Sequence, residues 1–102
     1  MKTIGTILRE LRVGKGLLLR EVGAQLSLDP TILSKIEQDK RMPTKEQVKA
    51  LSEFYKQQKN DIIIAWLSDK LFYEVQEEAL ALQAIQVAEG KIRYRIKDKK
   101  RK

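Results

Sequence analysis

The sequence predicts an all-α protein, and three of its features lead to that conclusion. Apolar residues recur at spacings of three and four from residue 4 to residue 92, as on the buried face of a helix. No stretch alternates between apolar and polar residues as a half-buried strand would. Capping residues and polar breaks divide the pattern into segments of helical length. The predicted helices span residues 3–13, 19–26, 30–38, a segment that follows Thr44, 61–72 and 74–90.

The first and fourth helices are predicted from their apolar spacing and from the residues at their ends. Lys15 and Gly16 end the first helix. Thr44 is a good N-cap for the fourth, and Gln47 completes a capping box with it. The apolar faces consist of Ile4, Leu8 and Leu11 in the first helix and of Val48, Leu51, Phe54 and Tyr55 in the fourth.

The segment 19–38 is predicted to hold two short helices joined by a tight turn. Asp29 is a good N-cap, and Pro30 suits the first position of the second helix. Two helices this close in sequence must cross sharply, and a side chain at Gly23 would obstruct the crossing. Such a helix-turn-helix unit commonly lays its second helix in a DNA major groove. The apolar faces are Val22 and Leu26 in the first of these helices and Leu33 and Ile36 in the second.

The C-terminal part carries two further apolar sets with different expected roles. Trp66 and Leu67 are expected to close the core beneath the fourth helix. The sixth helix has a narrow apolar stripe flanked by glutamates, which is typical of a helix–helix interface. We therefore expect a homodimer formed through the last two helices, and the alternative is that the stripe folds back on its own domain. The stripe consists of Val75, Ala79, Leu82, Ile85, Ala88 and Ile92, and the expected dimerisation residues are these together with Leu71 of the fifth helix.

The charge is divided into three regions that predict separate roles. Residues 1–59 carry 12 basic and 7 acidic residues, residues 60–92 carry 2 and 6, and residues 93–102 carry 7 and 1, which gives +5, −4 and +6. The expected domains are a DNA-binding domain over 1–60, a helical extension over 61–92 and a flexible basic tail over 93–102. The tail is expected either to follow a DNA backbone, to act as a solubilising end, or to bind the acidic sixth helix of another chain.

Several classes of function are disfavoured by composition. The chain has no cysteine and no histidine, which removes disulfides, thiolate nucleophiles, imidazole bases and almost all zinc sites, so we expect no enzyme, no metal and no cofactor. No glycine-rich phosphate loop follows a strand. The longest uncharged apolar run, Ile62 to Leu67, is far shorter than the roughly 20 residues that span a bilayer. These features favour a cytoplasmic protein without a membrane partner.

Residues 4–55 resemble the helix-turn-helix domain of the phage Cro/CI repressor family, also called the XRE family. The resemblance implies a five-helix, lambda repressor-like domain, here with an added C-terminal helix for dimerisation. The overall size is also similar to restriction–modification controller proteins. The matching strings, in order, are Ile4-Gly5, Arg9-Glu10-Leu11-Arg12, Lys15-Gly16-Leu17, Ser34-Lys35-Ile36-Glu37 and Lys40-Arg41-Met42-Pro43-Thr44.

The family's docking mode implies roles for individual residues. The start of the helix over 30–38 would face base edges, and the loop after it would hold phosphates. The alternative for each lysine or arginine is an ordinary solvated charge. The implied base-reading residues are Pro30, Thr31, Ile32 and Lys35, and the implied phosphate-binding residues are Arg20, Ser34, Lys40 and Arg41.

The resemblance also implies a structural ion pair between Arg12 and Glu37, at the ends of the first and third helices. Three residues depart from the family's pattern. Leu18 replaces a polar helix cap, Leu19 replaces a glutamine that contacts phosphate, and Ser27 stands at a turn where glycine is usual. Arg20 is expected to supply the phosphate contact that Leu19 cannot make.

The function that these features predict is sequence-specific regulation of transcription. A homodimer would bind a palindromic operator on double-stranded DNA, with the helix over 30–38 in the major groove. The alternative is an antitoxin-like or other protein-interaction module that retains a helix-turn-helix and uses the acidic segment 74–89 as its partner surface.

Overall fold

A computed structural model describes residues 2–56 and 60–100, and the regular elements in these two ranges are all helical. The all-α prediction is therefore confirmed. The chain divides into two compact units, Met1–Leu71 and Phe72–Lys102. The helices are α1 (Ile4–Gly14), α2 (Leu19–Leu26), α3 (Pro30–Glu37), α4 (Lys45–Phe54), α5 (Asp61–Val75) and α6 (Ala81–Lys100).

The N-terminal ends of α1, α3 and α4 are each capped by a side chain. The Thr3 side chain accepts a hydrogen bond from the backbone of Thr6, and Asp29 accepts one from Thr31. Thr44 and Gln47 form the predicted capping box at α4. At α2, by contrast, the N-cap is a leucine without a side-chain oxygen. Only half of a capping box forms there, through the Glu21 carboxylate, which accepts from the Leu18 amide at 2.9 Å.

The last two helices differ from their predicted bounds. α5 continues to Val75, and α6 begins at Ala81 rather than at residue 74. Residues 76–80 form a turn held by backbone bonds from the Glu78 amide to the Val75 carbonyl and from the Ala81 amide to the Glu78 carbonyl. These short-range bonds separate α5 from α6 without a proline or a glycine. The apolar spacing of the sequence continues through the turn, so the sequence carries no clear sign of the break.

The prediction of a flexible tail is wrong for residues 93–100, which continue α6 without a break at Gly90. Lysine and arginine are good helix formers, and they are stabilised in a last turn because the carbonyl end of a helix attracts positive charge. Ile92 and Ile96 add an apolar pair one turn apart. The last two residues of the predicted tail, 101 and 102, lie outside the described residues.

The core of the first unit is built by helices α1 to α5. Leu8, Leu33, Ile36 and Leu51 are fully buried together with Ile62 of α5. Trp66 joins the same cluster, and its indole N–H donates to the carbonyl oxygen of Pro43 at 2.9 Å. The expected core role of Trp66 is thus confirmed, whereas Leu67 remains about half exposed.

Two glycines mark places where helices approach closely. A Cβ atom at Gly23 would lie 2.5 Å from the carbonyl oxygen of Leu28, as the predicted crossing of α2 and α3 requires. A Cβ atom at Gly5 would lie 2.5 Å from the carbonyl oxygen of Ile36, so α1 passes close to the end of α3. Ser27, where glycine is usual, adopts the left-handed conformation that the turn requires, with a φ of 53°.

The second unit consists of the end of α5, the turn and α6. No residue of α6 is buried. Among the described residues, no helix is both long and apolar enough to cross a membrane.

Candidate nucleic-acid interface

The outward face of α3 forms a shallow groove at the surface of the first unit. Pro30, Thr31 and Lys35 are exposed, and Ser34 is half-buried between them. The opposite face of the helix carries Leu33 and Ile36, which are fully buried. The helix is therefore fixed by the core on one side and open to a ligand on the other. The groove is lined by Leu19, Pro30, Thr31, Ser34, Lys35, Gln38 and Lys40.

Ile32 is the predicted base-reading residue that the structure places differently. Its side chain is half-buried and packs against the core cluster. Positions 33 and 36 define the buried side of α3, and position 32 lies at the margin of that side, so packing takes up much of its apolar surface. Only its exposed part remains open to an apolar contact with a base.

The basic residues assigned to phosphates are all exposed. Arg20 lies in the first turn of α2, and Lys40 and Arg41 lie in the loop after α3. The loop is anchored to the helix because the Lys40 amide donates to the Lys35 carbonyl at 2.9 Å. Asp39 takes a positive φ of 59° to make this turn. The position of Lys40 is thus tied directly to that of α3.

Gln38 belongs to the groove but is not foreseen from the sequence. Its side-chain amide donates to the Ser34 hydroxyl at 2.8 Å, one turn earlier. An amide in this position has the donor and acceptor that match the major-groove edge of adenine. Gln38 stands three residues after Lys35, a spacing that shares one helix face, and this spacing is the signal that could have identified it.

Arg12 and Glu37 meet beneath this surface, as the resemblance implies. The Arg12 Nε atom lies 2.9 Å from Glu37 Oε2 and 3.1 Å from Oε1, and the Nη2 atom donates to Oε1 at 3.0 Å. A further bond runs from Nη1 to the Leu17 carbonyl at 2.9 Å. The Glu37 side chain is 4% exposed and that of Arg12 is 14% exposed. The pair therefore joins α1, α3 and the segment before α2 at one point.

The electrostatic effects of this pair extend to a neighbouring tyrosine. The hydrogen bond to Glu37 raises the pKa of Arg12 above its ordinary value. Burial raises the pKa of Tyr55 to about 12, with a further increase from the negative charge of Glu37 and an opposing effect of Arg12. Tyr55 thus keeps its phenol proton to a higher pH than an ordinary tyrosine does.

Two carboxylates hold the beginning of α1, and the sequence pattern identifies neither of them. The first turn of α1 contains no acidic residue. Asp39 instead accepts from the Thr3 hydroxyl at 2.7 Å and from the Gly5 amide at 3.3 Å, and Asp69 of α5 accepts from the Ile4 amide at 2.8 Å. Negative charge is stabilising at a helix N-terminus. These bonds therefore fasten α1 to α5 and to residues 39–41 after α3, here called the phosphate-side loop.

Comparison with known proteins places this architecture in a family. Searches of curated proteins and of solved structures find no significant match. A family model described as a helix-turn-helix domain matches residues 5–68, which include α2, α3 and the core-closing part of α5. This match agrees with the Cro/CI-like resemblance of the sequence. The chain therefore belongs to the helix-turn-helix domain family and is a DNA-binding regulator of that general type.

Proposed function

We propose that this protein is a sequence-specific regulator of transcription that binds a palindromic operator as a homodimer. The observation that carries the proposal is the open face of α3, where Thr31, Lys35 and Gln38 are exposed. The opposite face of the helix is buried in the core. A helix held in this way can enter a major groove without rearrangement.

The groove residues divide into those that read bases and those that hold phosphates. Lys35 can donate to guanine O6 or N7, and Gln38 can pair with adenine. Thr31 offers a hydroxyl and a methyl group at the start of the helix. Since Pro30 brings no polar side chain, the base-reading surface is small. Phosphate contacts from Arg20, Ser34, Lys40 and Arg41 are then expected to supply much of the affinity.

A homodimer fits the exposed apolar residues of α6, which the turn 76–80 separates from those of α5. Leu82 is 77% exposed and Ile92 is 59% exposed. A two-fold dimer formed through this stripe would present two copies of α3 to half-sites separated by roughly 34 Å along one face of the duplex. The operator is therefore expected to be palindromic.

Selection from a random duplex pool at about 150 mM salt tests the proposal directly. The parent chain is run beside Lys35→Ala and beside Lys49→Ala, which removes an exposed lysine of α4 that lies outside the groove. We expect the parent and Lys49→Ala to enrich the same palindrome. Lys35→Ala should lose preference at one position of each half-site.

If none of the three chains enriched any sequence from the random pool, sequence-specific binding would be overturned. Enrichment of a single half-site without symmetry would retain base reading and reject the homodimer on DNA.

A second candidate function is a protein-interaction module that retains its helix-turn-helix. The acidic segment 74–89 favours it, because Glu74, Glu77 and Glu78 are exposed beside exposed Leu80. In that case the pool stays flat, while the chain forms a stable complex with a basic partner protein that charge reversal at Glu77 and Glu78 abolishes.

A further inference from the structure

The face of α6 that carries its apolar stripe has no partner among the described residues of its own unit. Ile92 and Ile96 are 59% and 52% exposed, and even Ile85, the least exposed large apolar residue of the helix, is 39% exposed. Apolar side chains at this spacing on a 20-residue helix are stabilised only when another surface covers them.

The apolar stripe that α6 itself presents contains both small and large residues. Ala81, Ile85, Ala88, Ile92 and Ile96 follow one another at spacings of four, three, four and four, which keeps them on one side of the helix. An alanine leaves room for the isoleucine of an opposing helix. The alanine at one end of the stripe can therefore face the isoleucine at the other end of an opposing helix, while the isoleucines between them face each other.

The charges along the same unit are strongly asymmetric. Residues 74–89 contain four glutamates and no lysine or arginine. Residues 91–100 contain six lysines or arginines and a single aspartate. The second unit is therefore acidic before residue 90 and basic after it.

We propose that α6 pairs in an antiparallel orientation with α6 of a second copy of this chain. In the favoured register, Ile85 lies opposite Ile92 of the other copy, and Ala81 lies opposite Ile96. Glu77 and Glu78 lie in the turn that precedes α6, so they are at the end of the helix pair where Lys99 and Lys100 of the other chain also lie. This inference rests on the proposed homodimer and adds its orientation and its charge pairing.

The opposite, parallel orientation is disfavoured by the same charges. It would place the basic segment 91–100 of one chain beside the identical segment of the other, and the glutamates beside glutamates. Like charges in adjacent helices are destabilising, whereas the antiparallel pair turns both ends into attractive contacts. Because the arrangement is symmetric, each chain supplies both halves of the interface.

Cysteine crosslinking of the full chain tests the orientation, since the natural sequence contains no cysteine. Ala81→Cys and Ile96→Cys are prepared separately and then mixed in a buffer of reduced and oxidised glutathione. We expect disulfide-linked dimers that join the two different variants, with little dimer from either variant alone. Gln83→Cys mixed with Tyr94→Cys is the matched control, because these residues lie at the same level on the opposite face of α6 and should not crosslink.

Efficient disulfide formation by Ala81→Cys alone and by Ile96→Cys alone would show a parallel pair and overturn the proposal. A monomer in sedimentation at all concentrations tested would overturn both the proposal and the homodimer. The random-pool selection still reports base reading in either case, so the failure of the orientation is distinguishable from the failure of DNA binding.

Charge reversal tests the proposed ion pairs independently. The double variants Glu77→Lys/Glu78→Lys and Lys99→Glu/Lys100→Glu should each weaken dimerisation by tenfold or more. The quadruple variant that carries all four changes should restore it. A loss of DNA affinity in Lys99→Glu/Lys100→Glu without any change in dimerisation would instead assign the basic end to DNA and overturn the pairing.

Discussion

At the scale of single residues, the Glu37 carboxylate lies where almost no water reaches it. Its stability there depends on Arg12, which brings three hydrogen bonds to it and a fourth to the Leu17 carbonyl. Buried ion pairs are costly to desolvate and contribute little net stability, but they are costly to break because one charge remains without its partner. The pair is thus best understood as fixing the end of α3 in place.

Glu37→Ala should therefore lower the free energy of unfolding by about 2–3 kcal/mol, somewhat less than for a fully buried pair because Arg12 retains some contact with water. Urea unfolding measures this change, and DNA affinity should fall with it. Glu10→Ala is the control, since it breaks an exposed pair with Lys2 and should change the free energy by less than about 1 kcal/mol. Unchanged stability and affinity in Glu37→Ala would rule out this role for the pair.

The raised pKa of Tyr55 predicts a loss of stability in strong base. Its pKa is about 12 in the folded chain, against 10.0 for an ordinary tyrosine. Between these values the unfolded chain has released the phenol proton while the folded chain keeps it, so unfolding is favoured as pH rises. The contribution is complete below pH 10 and is lost between pH 10 and about 12.

Urea midpoints measured from pH 8 to 12 for the parent and Tyr55→Phe isolate this effect from the titration of lysines, which both chains share. The parent should lose more stability than Tyr55→Phe in the upper part of this range. Parallel curves for the two proteins would contradict the prediction.

At the scale of the elements, the crossing of α2 and α3 depends on the absence of a side chain at Gly23. Gly23→Ala places a Cβ atom 2.5 Å from the Leu28 carbonyl, which is backbone and cannot rotate away. We expect the free energy of unfolding to fall by about 1–3 kcal/mol, the usual cost of overpacking. Thermal or urea unfolding measures it.

Gly14→Ala is the matched control for this prediction. It also adds a methyl group to a glycine within a helix, but apart from the neighbouring backbone of its own helix nothing lies within 4 Å of the new Cβ. Because alanine is the better helix former, this variant should be neutral or more stable by up to about 1 kcal/mol. A Gly23→Ala protein as stable as Gly14→Ala would show that the helices do not cross in this way.

The elements also show which parts of the structure can be predicted from the sequence. The starts of α1 to α4 depend on local signals, such as Thr3, Asp29 and Thr44, and these signals act within a few residues of the chain. The bonds from Asp39 and Asp69 to the start of α1 join residues more than 30 positions apart, and no local pattern encodes them. The extension of α6 is not foreseen because high charge density resembles a disordered tail when its helix propensity is ignored.

The candidate site follows the same division. The exposure of Pro30, Thr31 and Lys35 on α3 follows from helical spacing alone, because Leu33 and Ile36 fix which side is buried. Gln38 stands three residues after Lys35, so the same spacing places it on the open side, and Ile32 stands four residues before Ile36, beside the buried side. The bond from the Gln38 amide to the Ser34 hydroxyl is not encoded by spacing and is seen only in the structure.

At the scale of the whole molecule, the charge of the first unit predicts how DNA binding depends on salt. Log affinity should fall linearly with log salt, and each phosphate contact contributes a slope of about 0.9. Lys40→Ala should weaken binding to all sequences alike and reduce the slope by about 1, whereas Lys35→Ala should mainly relax preference at one base position.

Fluorescence anisotropy with the selected operator and a scrambled duplex, at a series of salt concentrations, measures both effects. Equal effects of Lys40→Ala and Lys35→Ala on sequence preference would contradict the division between phosphate and base contacts.

The bond from the Trp66 indole to the Pro43 carbonyl has a consequence for how the protein can be dissected. Pro43 lies between α3 and α4, so α5 covers the core and also braces the segment that follows the phosphate-side loop. A fragment ending at residue 60 would leave the core surfaces of Val48 and Leu51 without Ile62 and Trp66 against them. We therefore expect the shortest autonomous fragment to extend through Asp69, with its single tryptophan serving as an internal fluorescent reporter of whether the fragment has folded.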